Sequence, residues 1–343
     1  MKKTIRQFPP AYFAMVMSTG IISLAAKELE MKGIAEAFFY LNLLIYPLFL
    51  LLLALRAFLD FKGLWAELTS HAKGANFLAL VPATCLVGNQ FVQLRHNQAV
   101  GNALWVLALA SWLVLSYSFL LGVSIGEEKP DLEKGLTGSW LLLVVATESL
   151  AVLGAKLVSG WPVPLEVGFV GAIGAFLLGS LLYVVLITLL IYRLTFVRLG
   201  EEEVGAAYWI SVGASAITVL AGTTLVSALD KAHVLSDIVP FVKGWSVLFW
   251  VVSSWWIPLV AGLRLWNHLR TRPAFAYSPP YWSMVFPLGM YTAATLRLAE
   301  ALSVHQLQSI SAGFIYVALL AWVLTFGGMF YHFATAARTP QPA

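Results

Sequence analysis

The sequence predicts an all-α polytopic membrane protein: ten transmembrane helices arranged as five helical hairpins around a central pore, in one domain over residues 1–343. Three observations predict it. The chain is 60% hydrophobic and 11% charged, with mean hydropathy +0.82, whereas a soluble domain carries about 25% charged residues. Ten stretches hold the roughly 20 mainly apolar residues that a bilayer core requires. Those stretches alternate between two compositions, a period of two helices repeated five times.

Taken in order, span one covers about 9–27. Its head, "MKKTIRQF", is basic but has no small-residue cleavage site, so a retained span is expected rather than a secretory signal. Span two, 34–60, is rich in Leu and Phe. Span three, 75–94, carries "GNQ" at 88–90, one to two turns after Pro82, which lacks the N–H a regular helix needs. Spans four (98–124), six (165–196), eight (240–269) and ten (308–336) are again long and rich in Leu, Phe and Trp. Spans five (139–158), seven (206–228) and nine (280–302) are shorter and carry "TES" at 147–149, "AGTT" at 221–224 and "FPLGMYTAAT" at 286–295; span one has "STG" at 18–20. Lipid accepts Leu and Phe, but polar groups need partners or a wet cavity. The polar member of each pair is therefore placed inside and the greasy member outside.

The connections are short and hold most of the charge, which leaves no room for a soluble nucleotide-binding or catalytic domain. Ten spans put both termini on one side. That side carries 14 of the 21 Lys and Arg residues, among them Lys2, Lys3, Arg198, Arg272 and Arg338. Positive charge gathers on the cytoplasmic side, so both termini are expected there, in a multi-pass plasma-membrane protein. A net charge of +4 spread this way is no nucleic-acid signature. The single Cys85 builds no disulfide framework. The six histidines are dispersed without metal-ligand spacing, and no catalytic motif is present. Neither an enzyme, a metal site nor a cofactor is expected.

Four constellations stand out. Ser211, Ser215, Thr218 and Gly222 share one helical face, which fits either close packing of small residues or a pore lining. Cys85, Asn89 and Gln93 share another; the amides fit an interhelical hydrogen bond or a wet pathway. On span nine, Phe286, Met290, Ala293 and Arg297 lie on one face, with Pro287 loosening the helix beside Phe286. Eleven residues separate Phe286 from Arg297, about 16 Å at 1.5 Å per residue. A ring near the midpoint of a pore closes it by sterics and dewetting, while a core aromatic needs no such role. Arg297 either snorkels to the interface or draws in anions at the mouth. Glu148 is the one acid well inside a span; it marks a pathway, a proton relay or a neutral hydrogen-bonded acid.

The segments "FPPAYFAMVMSTGIISLA", "LLLVVATESLAVLGA" and "YWSMVFPLGMYTAATLRLAE" resemble the tellurite-resistance/dicarboxylate transporter family, also called the voltage-dependent anion channel or slow-anion-channel-like family. The resemblance runs the whole length, and "MSTG" and "VFPLGMY" are most similar to its malate-permease branch. It implies five hairpins around a pore, a homotrimer with one pore per protomer, and a gating phenylalanine before a proline, which falls on Phe286–Pro287. It implies transport of small anions, here four-carbon dicarboxylates such as malate. The alternatives are a passive channel for chloride, nitrate or sulfite, and a tellurite-resistance permease.

On this reading Ser18, Thr19, Asn89, Thr147, Ser215, Thr218 and Thr292 line the pore, Arg297 attracts the anion and Phe286 is the gate. Glu148 is in tension with it, because a fixed negative charge repels anions strongly in a low-dielectric channel. The tension is relieved if the carboxyl carries a proton, and proton-coupled transport follows if it exchanges one.

Overall fold

Twelve α-helices account for most of the computed structural model, which describes residues 5–197, 206–271 and 277–336. Lys2, Lys3, Arg198, Arg272 and Arg338, used for the topology expectation, lie outside the described residues. The helices are α1 (Phe13–Glu28), α2 (Lys32–Leu59), α3 (Phe61–Leu68), α4 (Leu80–Arg95), α5 (Gln98–Ile125), α6 (Leu132–Gly135), α7 (Leu142–Leu157), α8 (Leu165–Phe196), α9 (Ile210–Ala232), α10 (Val239–Thr271), α11 (Trp282–Leu302) and α12 (Gln308–Ala336).

Among the described residues, eight segments are long and apolar enough to cross a membrane: Lys32–Leu59, Gly74–Arg95, Gln98–Ile125, Gly138–Gly160, Leu165–Phe196, Ala206–Ala232, Ser236–Arg270 and His305–Thr335. The protein is an all-helical membrane protein. Two of the ten expected spans, α1 and α11, fall outside this set. The reason is physical: both are less apolar, α1 carrying Ser18, Thr19 and Ser23 with Lys27 and Glu28 at its end, and α11 carrying Arg297 and Glu300 at its C-terminal end. Both are almost wholly buried by their neighbours, and a helix shielded from lipid has no need of a continuous apolar surface.

Burial sorts the long helices into two classes. The segments containing α4, α7 and α9 are 72–94% buried, and those of α2, α5, α8, α10 and α12 are 17–39% buried. With α1 and α11, the buried class has five members. Each packs on the next, α1 on α4, α4 on α7, α7 on α9, α9 on α11, and α11 back on α1, so they form a closed ring. Every ring helix is entered through a 3₁₀ turn: Pro10–Tyr12, Gly74–Ala79, Gly138–Leu141, Ala206–Trp209 and Pro279–Tyr281. Four of them end at a left-handed residue, Glu30, His96, His233 or Ser303, a conformation that stops a helix and reverses the chain. The outer helices expose Leu, Val, Phe and Tyr along their length, for instance Leu44, Leu48 and Leu51 on α2 and Leu320, Val323 and Leu324 on α12. The short α3, capped by the Asp60 side chain on the Gly63 N–H, exposes Phe61 and Trp65.

Candidate functional site

The ring places a repeated helical face along its axis. Ala14, Ala79, Leu142, Ile210 and Ser283, one residue from each ring helix or its leading turn, border a void of about 10 Å³ together with Met17, Asn76 and Phe286. Fourteen residues further along, Gln93, Lys156, Thr224 and Arg297 border a cavity of about 700 Å³ at the C-terminal ends of the same helices. On α1 the equivalent position is Glu28, which pairs with Arg297. Fourteen residues are four turns, about 21 Å. Halfway, Ile21, Leu86, Ser149, Ile217 and Met290 occupy the same faces, all buried. The axis thus runs from a wide polar vestibule through an apolar middle to a void that holds about one water.

Phe286 lies one turn above Ser283, at the narrow end, and is 2% exposed. Gly213 of α9 makes room for it: a Cβ there would stand 3.0 Å from the Phe286 ring and 3.1 Å from Pro287 Cγ. Pro287 also has no N–H to offer the Ser283 carbonyl one turn back, so that carbonyl lacks its helical partner at the edge of the void. Arg297 borders the vestibule, while Phe286, expected near the midpoint, sits at the opposite, narrow end, with Met290 halfway along the axis. The Arg297 guanidinium is bonded to Glu28 of α1, and Nη1 also donates to Glu300 at 2.9 Å.

The hydroxyls and amide expected to line the pore, Ser18, Thr19, Asn89, Thr147, Ser215, Thr218 and Thr292, are placed differently: none borders the vestibule or the void, and most bond to a neighbouring helix. Thr19 accepts the Trp322 indole N–H at 3.1 Å, and Thr147 that of Trp112 at 2.9 Å. Ser215 and Ser253 share a hydrogen bond of 2.6 Å. Ser18 Oγ reaches the carbonyls of Ala14 and Trp282. Thr292 donates to Leu288 O, and Asn89 to Cys85 O, leaving Asn89 Oδ1 buried and unpartnered. Ser18, Thr19, Thr147 and Ser215 thus fasten helices to one another, whereas Asn89 and Thr292 bond within their own helices.

Glu148 is also off the axis. It is 0% exposed and points between α7, α8 and α9. Oε1 accepts the Thr218 hydroxyl at 3.1 Å, and Oε2 is buried without a partner. Gly179 is the residue that admits it, since a Cβ there would lie 2.6 Å from Oε1. No cation pairs with Glu148 among the described residues.

Sequence reasoning missed Gly213 and Gly179, both glycines inside helices, where the residue costs about 1 kcal/mol relative to Ala and so signals a close approach. It also missed Lys156, whose signal was its position two heptads from Leu142 on the face through Ser149.

Comparison with known proteins agrees with this architecture. The model of the voltage-dependent anion channel family matches residues 7–330. An uncharacterized membrane protein of Mycobacterium tuberculosis is 38% identical over 155 residues, 45% of this chain and 77% of that protein. An uncharacterized transporter of Methanocaldococcus jannaschii is 23% identical over 95% of this chain and 94% of its own length. A sulfite efflux pump of Trichophyton rubrum is 23% identical over 96% of this chain and 92% of its own. With a family match over nearly the whole chain, on a ring of helices whose axis joins a charged vestibule to a buried phenylalanine, the protein belongs to the voltage-dependent anion channel family, one of transporters and channels rather than enzymes.

Proposed function

We propose that small anions pass along the axis of the five-helix ring, with Phe286 as the closing element. The observation that carries this reading is the shared face on all five ring helices, open as a charged vestibule at one end and narrowed at the other to the void that Phe286 borders. In this reading all ten long helices cross the plasma membrane as five hairpins. Both termini are cytoplasmic, and protomers form a homotrimer with one pathway each. The turns leading into α7, α9 and α11 border a second cavity of about 420 Å³ lined by Lys134, Arg193 and Arg264 with Glu133. Positive charge at both mouths raises the local anion concentration.

The substrates are four-carbon dicarboxylates such as malate, for which the vestibule has ample volume. A second reading, sulfite, is favoured by the full-length similarity to a sulfite efflux pump. Uptake of labelled malate, sulfite and chloride into proteoliposomes decides among dicarboxylate carrier, sulfite pathway and general anion channel. Absence of uptake of all three by folded protein refutes anion passage.

Glu148 supports proton coupling: an uncompensated buried carboxylate is costly, so the residue suits a group that holds a proton and exchanges it as the ring wall moves. An inward proton gradient is expected to stimulate wild-type uptake, and Glu148→Gln is expected to abolish that stimulation. Full stimulation in a folded Glu148→Gln variant would end this reading.

A further inference from the structure

Hydrogen-bond accounting in the vestibule separates groups that are committed from groups that are not. Arg297 is committed to Glu28 and Glu300. The hydroxyls of Thr223 and Thr224 donate to carbonyls of their own helix, Val219 and Leu220. By contrast, Lys156, Gln93, Ser159 and Ser227 all border the same cavity, and their side chains make no hydrogen bond or ion pair with a described residue. Lys231 is exposed at the rim beside Asp230, and Lys243 belongs to the outer α10. Among the described residues on the axis face of the ring helices, Lys156 is the cation that is withdrawn from solvent and that no carboxylate neutralises by direct contact; Lys231, on the same face beyond Thr224, is exposed.

Its surroundings favour an anion. The Lys156 ammonium stands within electrostatic reach of the Arg297 guanidinium, Lys27 and Glu28. Glu28 is already bonded to Arg297, and its second oxygen is turned into a buried position without a partner. A half-buried ammonium without a counter-ion has lost hydration that nothing in the protein returns. A small oxyanion returns it through a charge-assisted hydrogen bond. The amide of Gln93 and the hydroxyls of Ser159 and Ser227 supply neutral donors for its remaining oxygens.

We propose that Lys156, rather than Arg297, is the residue that captures the permeating anion, with Gln93, Ser159 and Ser227 completing a site for one oxyanion group: a sulfite ion or one carboxylate of a dicarboxylate. Arg297 then serves as a tie between α1 and α11. The inference rests on the proposed passage of anions along the axis, and its tests are chosen to fail separately.

In proteoliposomes, Lys156→Gln is expected to raise the KM for malate or sulfite at least tenfold while leaving the saturated rate within about twofold. Lys156→Arg, which keeps the charge, is expected to restore KM to within about threefold of wild type. An unchanged KM in Lys156→Gln, with wild-type uptake intact, overturns the capture role and leaves anion passage standing. A second measurement needs no transport. Ser159→Cys is labelled with an anionic and a cationic methanethiosulfonate, the native Cys85 being buried. The anionic reagent is expected to react about tenfold faster, and this preference is expected to fall several-fold when Lys156→Gln is added. A preference that does not depend on Lys156 overturns the proposal even if neither malate nor sulfite is carried.

Discussion

Replacing Phe286 with alanine separates a gate from a core aromatic. The ring is 2% exposed and rests against Gly213 and Pro287. Truncation vacates roughly 100 Å³, which at about 24 cal/mol per Å³ gives a cavity cost of about 2.4 kcal/mol if the space stays dry. It need not stay dry. The vacated volume joins the void of about 10 Å³ that Ser283 and Asn76 border, and together they hold about three waters at about 30 Å³ each. Polar partners for those waters are present in the Ser283 and Asn76 side chains and the unpaired Ser283 carbonyl. The narrow end therefore wets, and the dewetting barrier to an anion falls. Planar bilayer recordings of Phe286→Ala are expected to show an anion conductance at least tenfold above wild type, with thermal stability reduced. The structure also supplies the reversal. A side chain at Gly213 projects into the vacated space, so Gly213→Leu in the Phe286→Ala background is expected to close the pathway again. Wild-type currents in a monodisperse, folded Phe286→Ala protein, or a conductance that Gly213→Leu leaves untouched, would refute the gate.

Two further predictions concern what holds the ring. Trp112→Phe removes the indole N–H that Thr147 accepts; interhelical hydrogen bonds in membranes are worth about 0.6 kcal/mol and at most about 1.7, so a small fall in Tm with unaltered uptake is expected, and lost uptake at unchanged Tm would show Thr147 to act on the pathway instead. Glu67, outside the spans, is subject to burial, which pushes its carboxyl up, but the bonds from Arg56 at 2.7 Å and Lys73 at 3.2 Å outweigh this and hold it below its ordinary value of 4.5. A depressed carboxyl stabilises the fold above pH 4.5 and loses that contribution as pH falls through its folded value. Glu67→Gln is thus expected to cost about 1 kcal/mol near neutral pH, screened as a partly exposed pair is, and nothing well below pH 4; thermal melts at the two pH values measure the difference.

The order and class of the helices were legible in the sequence because membrane helices advertise themselves by composition. The stretch 139–158 forms the helix Leu142–Leu157 behind a 3₁₀ turn, and 280–302 forms the helix Trp282–Leu302 behind another. The face through Phe286 and Arg297 was legible too, because a proline and an arginine at that spacing fix a register. The direction of the polar residues was not. A periodicity says which residues share a face but not which neighbour the face meets. Thr147 reads the same whether it meets water or the Trp112 indole. Lys156 carries no such register signal, since a lysine at a span end ordinarily snorkels. Its place at the ring axis depends on α7 lying between α4 and α9.

The ring hydroxyls that do not line the pathway explain how the ring is kept in register. Each outer helix sends an aromatic donor forward to the next ring helix. Tyr46 of α2 meets Thr84 of α4, Trp112 of α5 meets Thr147 of α7, and Tyr183 of α8 reaches the Ser211 carbonyl of α9. Trp250 of α10 meets Thr295 of α11, and Trp322 of α12 returns to Thr19 of α1. In two cases the threonine donates its own proton to the carbonyl one turn back, Leu80 for Thr84 and Leu143 for Thr147, which leaves the oxygen free to accept. Such bonds cost little to satisfy within one helix and join successive helix pairs where lipid offers no hydrophobic force between helices. The fifth bond ties the last outer helix to the first ring helix and so closes the circle. Polarity in the ring helices thus divides by face: hydroxyls turned outward hold the wall together, and the axis keeps an apolar middle with charge concentrated at its mouth. An anion crossing such a path meets attraction at entry and a short dewetted stretch. With passage along the axis as proposed, that combination is what suits a single aromatic ring to the role of gate.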